Sequence, residues 1–423
     1  MPPDDRCRLA MQTQPDDRHR IAIQVPPVVP QAHRGRVTAP VMKVLGMMSG
    51  TSLDGVDAAL LEVDGTTSAT FSWRLLGFHS ERYRPEERDW IRRAIESGGP
   101  AELARLHAVL GERLAHCALD ACARAGVDPR TVAAIGSHGQ TVWHDPPSGE
   151  GRGATLQLGD PATIAEITGI PVVSDFRTRD VAAGGHGAPL VPWPDRLLFS
   201  APDRPRALQN LGGMANVTWL PAASEGEPVL AFDTGPGVAL IDTAAELATG
   251  GRRTFDADGE LAAAGEVDAE LLDRLMEHPF LRRQPPKSTG REVFGTAFVR
   301  RFVERREPRT RRDWTDVVAT LTAFTAASVA DAYRRWVLPR GVSEVLLAGG
   351  GALNPVLAGM IADRLAPVPV RDLTELGLDP EAREAACFAV LAWAHLQGLP
   401  ANAPEATGAS GPRVLGSLTP GGA

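Results

Sequence analysis

A chain of 423 residues with 43% hydrophobic and 23% charged content has room for two domains and a large buried core. Its formal net charge of −8 argues against a nucleic-acid or anionic-membrane surface as the main partner, while leaving room for a local basic pocket that holds phosphate. Four scattered cysteines (Cys7, Cys117, Cys122, Cys387) form no Cys-x-x-Cys pair, and no histidines cluster at ligand spacing, so neither a disulfide framework nor a zinc site is indicated and a reducing cytoplasm fits best. No apolar run approaches the roughly 20 residues of a membrane helix, and the N-terminus lacks the basic-then-apolar order of a signal peptide.

Residues 1–41 carry Pro-Pro, Asp-Asp and Arg-rich pieces without periodicity and read as a disordered extension. From Lys43 the pattern predicts strands over 43–48, 56–63 and 71–78, helices near 86–97 and 101–125, and a strand over 132–135. Short strands follow around 141–144 and 155–158, then a helix near 161–168, a strand over 171–176 and a glycine-rich segment at 182–189. A similar series restarts at Ala207: strands over 208–211, 216–220 and 229–233, helices that include a long one near 313–338, a strand over 344–348 and a helix over 354–365. The final helix, near 381–397, is apolar, and the Pro- and Gly-rich tail beyond it reads as an ordered strap only at 407–417. Two successive β-β-β-α-β series predict an internal duplication, with lobes at 42–205 (joined by 381–423) and 206–380.

Glycine-bearing segments stand at strand ends at 49–55, 136–140, 184–187, 212–213 with 235–237, and 349–351. In open α/β sheets ligands bind outside the carboxyl ends of strands, so this distribution predicts one extended cleft ligand, such as a nucleotide with a second substrate. In Gly46-Met-Met-Ser-Gly-Thr-Ser-Leu-Asp-Gly-Val-Asp57 the glycines allow amides to face an anion, Ser49, Thr51 and Ser52 add donors, and Asp54 and Asp57 could organise Mg²⁺. The same Asp-Gly between apolar runs also reads as a plain hairpin turn. Asp233-Thr-Gly-Pro-Gly237 follows an apolar strand, where a carboxylate can face a hydroxyl or a metal, or merely cap a turn. Ser174-Asp-Phe-Arg-Thr-Arg-Asp180 places two carboxylates and two arginines after a strand, which suits a general base as well as a solvated salt-bridged loop. His138 is compatible with a base, a sugar contact or a satisfied core histidine, and Lys287 with a phosphate or sugar contact beside a helix cap. Neither a Walker P-loop, a protein-kinase signature nor a serine-hydrolase elbow is present.

Taken together, Gly46–Asp57, Ser137-His-Gly-Gln-Thr-Val-Trp-His144, Asp175-Phe-Arg with Asp180, Gly184-Gly-His-Gly-Ala-Pro-Leu-Val-Pro192, Asp233–Gly237, Pro286-Lys-Ser-Thr-Gly-Arg-Glu292 and Gly349-Gly-Gly-Ala-Leu-Asn-Pro355 occur in an order that closely resembles the 1,6-anhydro-N-acetylmuramic acid kinases of bacterial cell-wall recycling. The resemblance runs from about Val44 to the end of the chain. It implies an α/β, duplicated ribonuclease-H-like fold of two lobes around an ATP/substrate cleft, as in actin, heat-shock chaperones and sugar kinases. It also implies a double reaction: water opens the anhydro bridge, and the freed O6 takes the γ-phosphate of ATP.

Carried over residue by residue, the resemblance makes Asp180 the base and gives the nucleotide to Gly50, Thr51, Ser52, Leu53, Asp54, Gly55, Val56 and Asp57, with Gly212, Gly213, Gly235, Gly237, Gly349, Gly350 and Gly351. Asp54 is implied as the Mg²⁺ ligand. His138, Asp175, Arg177, Gly187, Asp233 and Lys287 are implied at the sugar. A cytoplasmic homodimer is expected. Departures from the family pattern fall at His186 (usually Gln), Val238 (usually Asn) and Ala348 (usually Cys). A nucleotide-dependent sensor on the same fold would lack the need for the Asp175–Asp180 cluster, and a kinase for an ordinary hexose is the other alternative.

Overall fold

The computed structural model describes residues 41–422 except 51–52, 148–150 and 225–227, so the extension expected at 1–41 lies outside the described residues but for Val41. Strands β1 (Met42–Ser49), β2 (Gly55–Asp64) and β3 (Ser72–Arg82) form an antiparallel meander. The chain then crosses through the helix Pro100–Ala125 and returns as β4 (Val132–Asp145), parallel to β1. Strand β5 (Ala154–Leu158) folds back on β4, and β6 (Val172–Ser174) runs parallel to β4 on its far side.

The second sheet repeats this plan. Strands β7 (Arg206–Leu211), β8 (Met214–Leu220) and β9 (Leu230–Pro236) form a meander; β10 (Glu344–Ala348) lies parallel to β7, and β11 (Val370–Asp372) parallel to β10. Strand β12 (Ser417–Thr419) returns to the first sheet, antiparallel to β6. The orders β3-β2-β1-β4-β6 and β9-β8-β7-β10-β11 match in sequence and direction, which is the ribonuclease-H-like arrangement present twice. Even the caps repeat: Asp160 before Pro161 and Asn354 before Pro355 each accept two amides at the start of the helix that precedes the fifth strand of its series. Among the described residues no helix is long and apolar enough to cross a membrane.

One apolar layer lies between the first sheet and the helix Pro100–Ala125, another covers the sheet's opposite face through the helix Arg383–Leu396, and a third joins the second sheet to Arg311–Ala332. The second contact depends on two glycines paired across β1 and β4. Gly46 lies opposite Gly136, and a Cβ on either would sit 1.9 Å from Ala385 O or 2.2 Å from Phe388 O. A helix can rest directly on strand backbone only where side chains are absent.

Three expected elements differ. The two short strands at 132–135 and 141–144 are one 14-residue strand, because the register shift between β1 and β4 near Ser49 absorbs the left-handed Gly139 that looked like a break. The long helix stops at Ala332, widens through a π turn over Tyr333–Val337 and tightens through a 3₁₀ turn over Leu338–Arg340 that holds Pro339. The helix Pro192–Phe199 and strand β11 were not expected, since two prolines obscure the first and three residues carry no period for the second.

Candidate functional site

The hairpin turn between β1 and β2 is also a strained loop. Leu53 has φ of +58°, a conformation bulky residues rarely adopt, and its amide closes a turn on Gly50 O at 3.2 Å. Two anchors hold it there: the Leu53 side chain is buried in the first-sheet core, and Arg88 Nε donates to Leu53 O at 3.0 Å. Asp54 consequently projects into solvent, with Arg88 3.6 Å from its carboxylate and its carbonyl accepting from Tyr83 N. Thr51 and Ser52 lie outside the described residues. Ser49 is turned inward: its hydroxyl donates to Gln140 Oε1 at 2.6 Å and pairs with Tyr83 Oη at 2.8 Å. It therefore builds the base of the loop, and the side chain of Val56 belongs to the core.

Beside the middle of β4, along β5 and beyond the end of β6 lies a cavity of about 300 Å³ whose lining includes Ser137, His138, Gln157, Ser174, Asp175 and Thr178. Its wall is in register with the base of the loop, Ser137 opposite Met47 and Gln140 opposite Ser49. Ser137 Oγ is buried without a hydrogen-bond partner, and Asp175, at φ of +59°, is exposed with Thr178 Oγ1 donating to it. His138 has both ring nitrogens engaged: Nδ1–H donates to Gly139 O at 2.7 Å, and Nε2 accepts from Arg177 at 2.9 and 3.1 Å. Burial and the Arg177 guanidinium push its pKa down to about 3, so the imidazole is neutral and serves to hold Arg177.

Arg177 also donates to Gly187 O at 2.7 Å, while Gly187 N donates to Asp180 Oδ2 at 2.8 Å. Asp180 is wholly buried, and its Oδ1 accepts from Asn402 Nδ2 and Thr407 Oγ1, each at 2.8 Å. Thr407 opens the strap expected at 407–417 and Asn402 precedes it; neither contact was legible in the sequence, since nothing local links them to a loop more than 200 positions away.

At the carboxyl ends of β7 and β10 the glycine segments of the second sheet meet. The turn at Gly212 and Gly213 accepts amides from Gly237, Val238 and Ala239 at 2.8–3.2 Å. A Cβ on Gly237 would lie 2.0 Å from Gly212 O, so only glycine allows this approach. Gly351 lies against Leu211 and Val238, Gly350 has open space beside it, and Gly349 N donates to Pro380 O. Gly235 instead turns toward Ser328 behind the sheet.

Asp233 Oδ2 accepts from Thr289 N at 2.8 Å, and the Thr289 hydroxyl is buried without a partner. Lys287 gives its ammonium to Phe280 O and Leu281 O, with the Phe280 ring centroid 4.7 Å away. In this arrangement it ties down the 280s segment and reaches no open cleft, being only 8% exposed. Burial lowers its pKa to about 8.

Asp57 and Asp242, from distant parts of the chain, both feel the charge of Asp54. Burial, followed by Glu381, Glu384 and Asp54, raises Asp57 to about 6; burial raises Asp233 to about 6; burial together with Asp54 and Asp256 raises Asp242 to about 7, against the pull of Arg291. Asp242, on the helix Ala239–Ala248, escaped sequence reasoning, its only signal being a carboxylate in the first turn of the helix that follows Asp233–Gly237. These three groups bind protons more tightly in the folded chain than in the unfolded one. Their stabilising contribution is complete below pH 3.8 and is lost as pH rises through about 6 to 7. His138, held near 3, contributes with the opposite sign, so the check is a difference: Asp242→Asn should lose less melting temperature than the parent as pH rises through about 6 to 7, the histidine contribution being common to both. A melting curve of the variant as steep in pH as the parent's would remove Asp242 from the account.

Residues 42–421 match the family described as anhydro-N-acetylmuramic acid kinase. The relative of that name from Salinibacter ruber is 45% identical over 387 residues, covering 89% of this chain and 96% of its own. The one from Caldanaerobacter subterraneus subsp. tengcongensis is 43% identical over 383 residues, with 89% and 96% covered. Among solved structures, component A of the Acidaminococcus fermentans (R)-2-hydroxyglutaryl-CoA dehydratase superposes with a TM-score of 0.43 at 12% identity, over 83% of this chain and 98% of that one. With the strand order repeated in both sheets and the family match spanning the whole described fold, the chain belongs to the anhydro-N-acetylmuramic acid kinase family and is a sugar kinase.

Proposed function

We propose that the protein opens the 1,6-anhydro ring of 1,6-anhydro-N-acetylmuramic acid and phosphorylates O6 in one site shared by the two sheets. The observation that carries this reading is the cavity beside the first-sheet loop. It presents an exposed carboxylate, Asp175, and an orphaned hydroxyl, Ser137 Oγ, and its wall is built on the strands that carry the loop. Sugar hydroxyls are the natural partners for such groups.

In the proposed reaction a water oxygen bonds to the anomeric carbon, its proton passes to the Asp180 carboxylate, and the C1–O6 bond breaks. The freed O6 bonds to the γ-phosphorus of ATP as the bond to the β,γ-bridging oxygen breaks and ADP leaves, so the bridge oxygen needs no separate acid of the kind glycosidases use. Arg177, fixed by His138 and Gly187, orients the sugar side of the site. The second-sheet turns at Gly212–Gly213, Gly237 and Gly349–Gly351 would cradle the nucleotide, and the amides of the Gly50–Asp57 loop its terminal phosphate.

The residues also fit Mg²⁺. Asp54 offers an exposed carboxylate, and its charge disfavours ionisation of Asp57 and Asp242, so the three together are a donor set that suits a hard cation. When bound, the ion would neutralise charge developing on the phosphates. We further infer that the two sheets are the cores of lobes that close on the substrates and exclude bulk water.

Asp180 is sealed behind Gly185 and Gly187, so its work as base requires that the Gly184–Gly187 segment shift on substrate binding. A second reading has Asp175 as base, favoured by its exposure in the cavity. Turnover in heavy-oxygen water tests the reaction itself: label should appear at C1 of a 6-phosphate product, with anomeric exchange controlled. A phosphorylated product free of label would overturn the ring-opening half.

A further inference from the structure

Histidine and cysteine are scattered along the chain, yet folding brings one of each beside a carboxylate. His79 and Glu81 are two residues apart on β3 and so share a face of the sheet; the helix Pro100–Ala125, which packs on that face, carries Cys117. One ligand atom from each (imidazole nitrogen, carboxylate oxygen and thiol sulfur) lies within 4.8 Å of the other two, and among the described residues no second such trio occurs.

The polar atoms here are unsatisfied in a way that hydrogen bonding does not explain. Among the described residues, His79 Nε2 and Glu81 Oε2 are both buried with no hydrogen-bond partner, and Cys117 Sγ has only a 3.8 Å contact with Val56 O. Buried orphan atoms are rare in folded proteins, and two in one trio call for a ligand. The neighbouring cation does not block one. Arg113 pairs with Glu81 Oε1 at 2.9 Å and Glu87 at 3.8 Å and donates to Arg82 O; its Nε is unpaired among the described residues, and Oε2 of Glu81 stays free of it.

We propose that His79, Glu81 and Cys117 form a binding site for a borderline-soft divalent cation, with zinc as the occupant. Imidazole, thiolate and carboxylate are together a zinc donor set, whereas magnesium prefers oxygen alone. Zinc–ligand bonds of about 2.0–2.3 Å require the three side chains to draw inward from their present spacing. His79 binds as the neutral ring through Nε2, and the Cys117 thiol proton leaves to solvent as the sulfur–metal bond forms. Water or Asp120, one helical turn beyond Cys117, completes the tetrahedron.

The site lies under the phosphate loop. Glu81 is in register with Val56, Cys117 faces the Val56 carbonyl, and two residues beyond Glu81 the Tyr83 amide holds Asp54 O. A metal here would clamp β3 to its helix and stiffen the support of that loop.

The test uses the full chain, stripped with chelator and titrated with Co²⁺ alone. The expected result is one cobalt per chain, with a thiolate-to-cobalt charge-transfer band that Zn²⁺ abolishes and a thermal midpoint that rises with Zn²⁺. Cys117→Ser should lose the band. His79→Gln, which keeps a polar side chain of similar length and has folding checked by circular dichroism, should weaken zinc binding by at least about tenfold. Absence of the thiolate band in the parent protein, or zinc affinity unchanged in a folded His79→Gln variant, overturns the site.

Discussion

Asp180→Asn is expected to lower turnover by about 10²- to 10⁴-fold, the range removed with a general base, while leaving nucleotide binding in place. The structure adds a stability effect. All three partners of the carboxylate donate to it: Gly187 N, Asn402 Nδ2 and Thr407 Oγ1. An asparagine offers one acceptor oxygen, so its amide group must face at least one donor, and a loss of about 1–3 kcal/mol follows. Melting, nucleotide binding and steady-state rates therefore have to be measured on the same preparation. A folded variant that binds nucleotide but turns over slowly supports the base; near-parental turnover removes Asp180 from that role. Asp175→Asn, in a side chain that is exposed and, among the described residues, bonded only to Thr178, serves as the comparison. Loss confined to that variant would move the proton transfer to Asp175.

The largest effect on stability is expected at Arg383. Its guanidinium makes a two-pronged pair with Asp195, Nε to Oδ1 at 3.0 Å and the second prong to Oδ2, and both side chains are essentially excluded from water. Thr218 Oγ1 and Cys387 Sγ donate to the same carboxylate, so the pair joins Pro192–Phe199, Arg383–Leu396 and β8 of the second sheet. Removing the cation leaves a buried charge without its counter-ion, and Arg383→Met should cost about 3–5 kcal/mol by chemical denaturation. The penalty arises from the orphaned aspartate more than from lost attraction. The double variant Arg383→Met with Asp195→Leu should consequently recover part of the loss, and no recovery would point to packing as the cause.

The chain itself determined the architecture and the kind of site. Repetition of the strand pattern after Ala207 specified two copies of one topology, because alternation and apolar runs are local properties that survive any packing. Glycine, hydroxyl and carboxylate residues at strand ends were legible as candidates for the same reason: positions after parallel strands collect on one edge.

Only the tertiary structure decided what each side chain does there. Ser49 turned out to donate to Gln140, His138 to hold Arg177, and Lys287 to bind carbonyls among aromatic rings; each outcome depends on a partner between 6 and 91 positions away. Asp180 acquired two of its three donors from Asn402 and Thr407 near the C-terminus, and Asp242 its raised affinity for protons from burial, Asp54 and Asp256. Hydrogen bonding and desolvation act through space, and the sequence fixes spacing only along the chain. The motif names the chemistry, and the fold chooses which of its atoms remain free to perform it.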